Sequence, residues 1–515
     1  MTARALMLQG TGSSVGKSLL VAGLCRLARQ RGIRVAPFKP QNMSNNAAVC
    51  VDGGEIGRAQ ALQARAAGLE PRHDFNPVLL KPQTDHGAQV VVQGRVIGTF
   101  AAQEYQALRA RIRTSVLESF QRLAADHELI LVEGAGSPAE VNLRPNDIAN
   151  MGFARAARVP VCLVGDIDRG GVIASLVGTQ VVLDPEDAAL IVGFVVNRFR
   201  GDPALFADGL AFVERRTGWR CFGLVHWLPA AGRLPAEDSA SLPLDALREA
   251  ADGRSGVRQH GASGAGDDVL RDASAGLLHV VAPKLSRMAN FDDGDPLRLD
   301  PGVDFRFVPP GLPLPRDADV VVLFGTKSTV GELAFLRTQG WDHDVIAHAR
   351  CGGHVLGVCG GYQMLGRRVR DPEGVDGPAG AADGLGLLDV ETTMAGDKTV
   401  RRARGRCAVS GEPVAGYEIH MGETHGPDLV RPMLHLDTGD EGARDESGRV
   451  EGTCLHGLFA NDDWCRAWLE RMRAATDCSW SYDTATDRAL DDIAADLSGM
   501  LDTEALLAAA RTPSL

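Results

Sequence analysis

The sequence predicts an α/β protein with two domains, each built on a parallel sheet. Short apolar runs alternate with amphipathic segments through the first 235 residues, which predicts a doubly wound parallel sheet. A stretch rich in Gly, Ser, Asp and Ala, residues 251–276, then interrupts the pattern, and the alternation resumes after it. We therefore predict the following parts: a nucleotide-binding domain (1–235), a linker (236–275), a second α/β domain (276–465) and a helical tail (466–515).

The predicted strands are continuous apolar runs, as expected where both faces of a sheet are covered. In the first domain they are residues 5–10, 33–38, 128–134, 159–165 and 190–197, and residues 101–128 between them have helical spacing. In the second domain they are residues 277–283, 318–325 and 353–360. Residues 490–510 are the most regular helical stretch of the tail.

Composition excludes several classes of function. The net charge of -12 disfavours a nucleic-acid partner, and no apolar run approaches the ~20 residues of a membrane span. The ten cysteines form no CxxC pair, which favours reduced thiols over a zinc site. Because the N-terminus has only a very short apolar run before a glycine loop, we expect a cytoplasmic protein. The sequence does not indicate an oligomeric state.

The stretch "GTGSSVGKS" (10–18) is one residue longer than the common phosphate-binding pattern G-x-x-x-x-G-K-[ST]. It follows a predicted strand and precedes a predicted helix, so its backbone N–H groups can face a phosphate. Lys17 can then reach the outer phosphates, and the Ser18 hydroxyl can ligate Mg²⁺. The predicted nucleotide-binding residues of this loop are Gly10, Thr11, Gly12, Ser13, Val15, Gly16, Lys17 and Ser18.

This loop resembles that of the dethiobiotin synthetase group of ATP-dependent ligases, which activate a carboxylate as a phosphoryl species. The resemblance implies roles for three residues at predicted strand ends: Glu133 holds the metal, Lys39 neutralises the transferring phosphate and Asn197 reads adenine. Asp52, in "VDGGEIGRAQ", is a second candidate metal ligand, although the same residue type is common in turns.

The second domain carries "GHVLGVCGGYQMLG" (353–366), in which Cys359 lies between a predicted strand and a predicted helix. Glycines around a nucleophile at such an elbow permit a sharp turn that presents the sulfur. A cysteine nucleophile also needs a base, for which His456 in "GTCLHGLF" is favoured over His354 and His420.

An elbow cysteine with a downstream histidine resembles the class I glutamine amidotransferases, which release ammonia from glutamine through a thioester. The resemblance implies oxyanion donors around Gly325 and Gly360. Two departures are clear. Many members have Glu two residues after the histidine, where this chain has Leu458, and Pro before the oxyanion glycine, where it has Phe324. The residue that orients His456 therefore stays open.

Further stretches resemble the cobyric acid synthase family along nearly the whole chain, among them "PFKPQNM" (37–43), "DGGEIGRAQ" (52–60), "VGDIDRGGV" (164–172) and "GYEIHMGET" (416–424). The resemblance implies amidation of the b, d, e and g carboxylates of adenosylcobyrinic acid a,c-diamide, with ATP, Mg²⁺ and glutamine. It implies that Lys17, Ser18, Asp52 and Glu133 hold the phosphates and the metal. Lys39, Lys81 and Arg169 are candidates to line the corrinoid cleft.

Two alternatives remain at this point. Cobyrinic acid a,c-diamide synthase performs the same chemistry on other carboxylates, and the spelling "PFKPQNM" and "DGGEIGRAQ" disfavours it. A ParA-like ATPase switch shares the phosphate loop, but the Cys359 elbow and His456 argue against it.

Overall fold

The computed structural model describes residues 3–83, 87–236, 277–394, 398–472 and 480–514. They fall into two compact units, one formed by Met1–Pro235 with Thr484–Leu515 and the other by Ala236–Asp483. Apart from Ala236, the predicted linker lies outside the described residues. None of the helices in these ranges combines the length and the apolarity needed to cross a bilayer.

The first unit contains the elements predicted to form a nucleotide-binding domain. Its described strands are β1 (Arg4–Gly10), β2 (Val35–Phe38), β3 (Asn42–Met43), β4 (Ala47–Val49), β5 (Glu55–Gly57), β6 (Val78–Pro82), β7 (Gly87–Val92), β8 (Arg95–Ala101), β9 (Leu129–Glu133), β10 (Val161–Asp166), β11 (Ile191–Phe199) and β12 (Arg220–His226). Its helices before the linker are α1 (Lys17–Gln30), α2 (Arg58–Ala67), α3 (Ala102–Asp126), α4 (Met151–Ala157), α5 (Val172–Val182), α6 (Pro185–Ala188) and α7 (Ala207–Thr217).

The main sheet of this unit has the order β12-β11-β10-β1-β9-β2, with every neighbouring pair parallel. Side chains of β1 alternate between two hydrophobic cores, with Ala5 and Met7 in one and Leu6 and Leu8 in the other. A strand is buried on both faces when helices cover both sides of its sheet. The doubly wound fold is thus confirmed, and each predicted strand of this domain is confirmed to within a few residues.

A smaller sheet, with the order β3-β6-β7-β8, and the hairpin β4-β5 lie in the chain between β2 and α3. We did not predict these strands. Strand β8 is mostly exposed and β3 is two residues long, so neither has the apolar run that identified the main sheet. The helix predicted at residues 101–128 is confirmed as α3, which buries Tyr105, Ile112, Val116 and Phe120 at helical spacing.

The second unit is built on a sheet with the order β14-β13-β15-β16-β26-β25, in which only β25 is antiparallel to its neighbour. Its described strands are β13 (Leu278–Pro283), β14 (Val303–Val308), β15 (Val320–Leu323), β16 (His354–Val358), β17 (Arg368–Asp371), β18 (Gly380–Asp383), β19 (Glu391–Thr393), β20 (Thr399–Cys407), β21 (Pro413–His420), β22 (Glu423–His425), β23 (Leu434–Leu436), β24 (Gly439–Glu441), β25 (Ala443–Arg444), β26 (Val450–Thr453) and β27 (Leu455–His456). Its described helices are α8 (Asp295–Leu299), α9 (Thr329–Thr338), α10 (Trp341–Arg350), α11 (Gly360–Leu365) and α12 (Asp462–Met472).

Two further helices follow, α13 (Tyr482–Met500) and α14 (Thr503–Ala508), so the stretch 490–510 is helical with a break. Asp502 caps α14 by accepting the backbone N–H of Ala505. Helix α13 packs on α1 of the first unit, where a Cβ at Gly23 would lie 2.6 Å from a Leu497 methyl carbon. The end of the chain therefore completes the core beneath the phosphate loop.

Candidate active sites

The phosphate loop joins β1 to α1, and its glycines stand where a side chain would collide. Gly16 has φ +94°, and a Cβ there would lie 2.3 Å from the Asn197 amide nitrogen. A Cβ at Gly10 would lie 2.7 Å from the Gly12 carbonyl oxygen. The first glycine, one position earlier than in the common pattern, is thus required by the tight return of the loop.

Lys17 and Ser18, the first residues of α1, lie at this loop. The Lys17 ammonium donates to the carbonyls of Gly12 and Gly136, each at 3.2 Å, so it reaches back across the loop. The Ser18 hydroxyl donates to Glu133 Oε1 at 2.7 Å. Exposed Ser13 and half-buried Thr11 lie along the same turn, and the Thr11 backbone N–H donates to the Val164 carbonyl of β10 at 2.9 Å.

Glu133, the last residue of β9, is the centre of this cluster. Its Oε1 also accepts from the Lys39 ammonium at 2.7 Å, and both side chains are at most 5% exposed. Its Oε2 accepts from the amides of Gln63 at 2.6 Å and Gln60 at 3.4 Å. The structure therefore brings Ser18, Lys39 and Glu133 together at the carboxyl edge of the sheet, where open α/β sheets bind ligands.

The two glutamines were not predicted from the sequence. They are three residues apart on α2, so they lie on one face of the helix, and both are fully buried. Buried amides on an alanine-rich helix were the available signal. Asp52, the acid chosen from this stretch, instead occupies the exposed turn between β4 and β5, where it contacts His73 Nδ1 at 3.0 Å.

The other predicted cleft and nucleotide residues have different surroundings. Lys81 forms a buried ion pair with Glu55 at 2.7 Å. Arg169 lies in the exposed turn after β10. Asn197, in β11, donates its amide to the Val15 carbonyl of the phosphate loop at 2.8 Å. Asn197 thus lies against the phosphate loop, whereas the partner of Lys81 is a carboxylate other than Glu133.

In the second unit, Cys359 occupies the elbow between β16 and α11 with φ +53°, a backbone region that costs energy for a residue other than glycine. A Cβ at Gly361 would lie 1.8 Å from the Leu323 carbonyl oxygen, and one at Gly357 would lie 2.6 Å from the Tyr362 backbone nitrogen. Glycine is therefore required on both sides, as the predicted elbow demands.

The Gly325–Thr326 segment lies beside this elbow. A Cβ at Gly325 would lie 3.3 Å from His456 Cε1 and 3.5 Å from Cys359 Cβ. One at Gly360 would lie 2.9 Å from the Thr326 backbone nitrogen. Gly325, Gly360, Cys359 and His456 thus converge on one place.

His456 is buried and held by a carboxylate that was not predicted from the sequence. Its Nδ1 lies 2.7 Å from Asp293 Oδ2, and Asp293 Oδ1 accepts the backbone N–H of Gly457 at 2.7 Å. Its ring stacks on Tyr417 with centroids 5.3 Å apart. Burial lowers the pKa of His456, but the charge and hydrogen bond of Asp293, aided by Cys359, raise it to about 10.

Asp293 supplies the carboxylate that Leu458 cannot, since Leu458 is buried in the hydrophobic core.

The other two candidate histidines have other partners. The carbonyl of His354 lies 3.0 Å from His348 Nε2, and His420 pairs with Glu418. Phe324, which precedes Gly325, is buried against Phe305 and Phe307 and is therefore part of the hydrophobic core.

Two family models match the chain, one over each domain. A model of the CobQ/CobB/MinD/ParA nucleotide binding domain matches residues 6–242, and a model of the CobB/CobQ-like glutamine amidotransferase domain matches residues 279–464. The chain thus combines a nucleotide-binding domain with a glutamine amidotransferase domain.

Relatives that align over nearly the whole chain identify the family within this class. Cobyric acid synthases from Hyphomonas neptunium and Paracoccus denitrificans are each 60% identical to the chain; the first alignment covers 100% of the chain and 99% of the relative, the second 98% and 100%. One from Cereibacter sphaeroides is 57% identical over 98% of the chain and 100% of the relative. The chain belongs to the cobyric acid synthase family and is a glutamine amidotransferase ligase.

Proposed function

We propose that this enzyme amidates the b, d, e and g side-chain carboxylates of adenosylcobyrinic acid a,c-diamide and so forms adenosylcobyric acid during cobalamin biosynthesis. Each amide would use one ATP and one glutamine. The observation that carries the proposal is the presence, in a chain with full-length cobyric acid synthase relatives, of the Glu133 cluster in one unit and the Cys359–His456–Asp293 cluster in the other. The catalytic thiol must stay reduced, which supports a cytoplasmic location.

Ammonia release follows from the second cluster. Asp293 holds the Nδ1 proton of His456, so Nε2 is left to take the proton of Cys359. The thiolate attacks the amide carbon of glutamine, and backbone N–H groups around Gly325 and Gly360 would stabilise the oxyanion. His456 then protonates the departing ammonia, and water hydrolyses the thioester to glutamate.

Carboxylate activation is assigned to the first cluster. Lys17 would contact the outer phosphates of ATP, and Lys39 would neutralise charge on the phosphoryl group as it moves to the substrate carboxylate. The acyl phosphate then reacts with ammonia, which displaces phosphate and forms the amide. Both lysines carry a preorganised charge, which favours the transition state over the ground state.

The residues around Glu133 fit Mg²⁺, which prefers carboxylate and hydroxyl oxygens and retains waters and phosphate oxygens as ligands. Glu133 Oε1 and Ser18 Oγ lie 2.7 Å apart and would hold the ion. Within the described ranges, no three His, Cys, Asp or Glu side chains gather as a metal-binding group, so the remaining ligands would come from the nucleotide and water. The bound ion would neutralise charge on the phosphates.

The proposal is tested with glutamine labelled with heavy nitrogen in its amide. The enzyme is incubated with the a,c-diamide, ATP and Mg²⁺, and ADP, glutamate and labelled corrinoid are measured together. We expect equal amounts of ADP, glutamate and new labelled amide. ATP hydrolysis without label in the corrinoid would contradict the proposal.

A further inference from the structure

Glu441, the last residue of β24, has no part in the reaction described above, yet it contacts the segment that joins the nucleophile's sheet to the catalytic base. Gly442 follows it with φ +75°, and a Cβ there would lie 2.3 Å from the Gly452 carbonyl oxygen. This close passage brings Glu441 beside the end of β26. The residue is half-buried, and burial of its carboxyl group raises its pKa to about 7.

Each oxygen of the Glu441 carboxyl accepts a hydrogen bond from the same turn. Oε2 accepts from the Thr453 hydroxyl, and Oε1 accepts from the Cys454 backbone N–H at 2.6 Å. The Thr453 hydroxyl oxygen also accepts the backbone N–H of Leu455 at 3.0 Å. The carboxyl group therefore fixes the turn of residues 453–455.

This turn touches both catalytic residues through the backbone. The Thr453 carbonyl accepts the backbone N–H of Cys359 at 2.7 Å, and Leu455 is bonded directly to His456 in β27. Cys359 has a strained positive φ, and such a backbone persists only where surrounding contacts hold it. The Thr453 carbonyl is one of those contacts.

We propose that Glu441 is a positioning residue for glutamine cleavage, which holds the 453–455 turn and thereby fixes Cys359 relative to His456. It acts through Thr453 and Cys454 and touches neither catalytic side chain in the contacts described. The inference rests on the glutaminase half of the proposed function alone, so it is independent of which corrinoid carboxylates are used.

The test is the kinetics of glutamate release by Glu441→Leu and Glu441→Gln. Leucine removes both acceptors, whereas glutamine keeps an acceptor for Cys454 but places a donor amide against the Thr453 hydroxyl. Because a displacement near 1 Å can cost about a hundredfold in rate, we expect kcat to fall about ten- to a hundredfold for leucine and less for glutamine. KM for glutamine should stay within about threefold, and amidation from added ammonium should be unchanged.

Glu451→Gln is the matched control. Glu451 lies on β26 two residues before Thr453, is buried, and pairs with Arg471 at 2.7 Å. Its substitution should lower the melting temperature without changing kcat for glutamate release. If Glu441→Leu behaves like this control, or if it loses ammonium- and glutamine-dependent synthesis equally, the positioning role is wrong.

A second pair of variants decides the matter should the Glu441 variants not fold. Thr453→Ser keeps the hydroxyl and should retain the wild-type kcat, whereas Thr453→Val loses it and should reproduce the fall. Equal rates for the two would overturn the proposal. Glutamate release is measured without a corrinoid, so a failure of the corrinoid assignment leaves this result readable.

Discussion

In the proposed mechanism, Asp293 sets which nitrogen of the His456 ring carries the proton. A carboxylate at 2.7 Å from Nδ1 favours the tautomer with the proton on that nitrogen, which leaves Nε2 to exchange a proton with Cys359. The same carboxylate holds the backbone of Gly457, so it fixes both the ring and the strand that carries it. Asp293 would therefore orient the proposed base through two contacts.

Asp293→Asn should reduce kcat for glutamate release roughly a hundredfold or more, because an amide can present its NH₂ group to Nδ1 and so favour the wrong tautomer. Ammonium-dependent synthesis should be unaffected. The matched control is Asp295→Asn two residues on, where the buried carboxylate bonds Arg298 at 3.0 Å. Equal rates for the two variants would remove Asp293 from the site.

The contact between Asp293 and His456 should make the stability of the protein depend on pH. Asp293 raises the folded-state pKa of His456 to about 10, so its contribution to the free energy of unfolding is complete below the ordinary imidazole pKa of ~6.5. The contribution falls as the pH rises from there and is lost above about 10. The stability difference between wild type and Asp293→Asn, measured by denaturant unfolding, should therefore shrink with rising pH; a constant difference would contradict the assignment.

Cys359→Ser should abolish glutamine-dependent synthesis and keep synthesis from added ammonium, because the proposed role of the sulfur is ammonia release alone. Both rates are measured as amidated corrinoid. A folded variant that is inactive with both nitrogen sources would show that the two half-reactions do not divide as proposed.

Lys17→Ala should slow amidation strongly with either nitrogen source. Loss of a preorganised cation on the transferring phosphate should cost about 3 kcal/mol of transition-state stabilisation, or roughly a hundredfold in rate. Basal glutamate release at Cys359 should persist and serves as the control for folding. Wild-type amidation would refute the assignment of the phosphate loop.

At the scale of elements, helix α2 supports the Glu133 cluster by presenting Gln60 and Gln63 to Glu133 Oε2. This leaves Oε1 for Ser18 and Lys39. Residues that orient a metal ligand typically affect affinity ten- to a hundredfold. The helix therefore acts on the proposed metal site although it supplies no ligand.

Gln63→Met should raise the Mg²⁺ concentration needed for half-maximal ADP binding about ten- to a hundredfold, measured by calorimetric titration. Gln180→Met is the control, since the Gln180 amide of α5 bonds the Thr217 carbonyl of α7 at 2.6 Å. A Gln63 variant with the same Mg²⁺ requirement as this control would exclude a role for α2 at the metal.

The elements that could be predicted from the sequence were those marked by a pattern within their own residues. Buried parallel strands are continuous apolar runs, so β1, β2, β9, β10 and β11 could be identified along with the residues at their carboxyl ends. The small sheet containing β8 could not, because its strands are short or exposed. Helix α13 packs on α1 through pairs such as Arg26–Asp491, which are 465 residues apart and leave no local signal.

The same dependence on local sequence pattern explains which site residues could be predicted. Cys359 and His456 carry recognisable neighbours, but Asp293 lies 163 residues from His456 and comes from a segment with several acids. Only the fold shows that α2 turns Gln60 and Gln63 toward Glu133. The only local signal for the two glutamines was their place on an alanine-rich helix, which does not by itself distinguish a buried amide from an exposed one.

At the scale of the molecule, the identity of the substrate depends on more than the two catalytic clusters. A diamide synthase would share Lys17, Glu133, Cys359 and His456, so no substitution of these residues separates the two activities. We expect the choice of carboxylate to lie in "KPQNMSNNA" (39–47) and "GDIDRGGV" (165–172), at the carboxyl ends of β2 and β10. Both stretches share the sheet edge that carries the phosphate loop.

The most direct measurement is the set of carboxylates that the enzyme converts. Given adenosylcobyrinic acid a,c-diamide with ATP, Mg²⁺ and glutamine, the product should gain an amide at each of the b, d, e and g groups, as assigned by mass spectrometry with fragmentation or NMR. Given cobyrinic acid with free a and c groups, the enzyme should leave those two unamidated. Amidation at a and c, with no reaction on the a,c-diamide, would contradict the account.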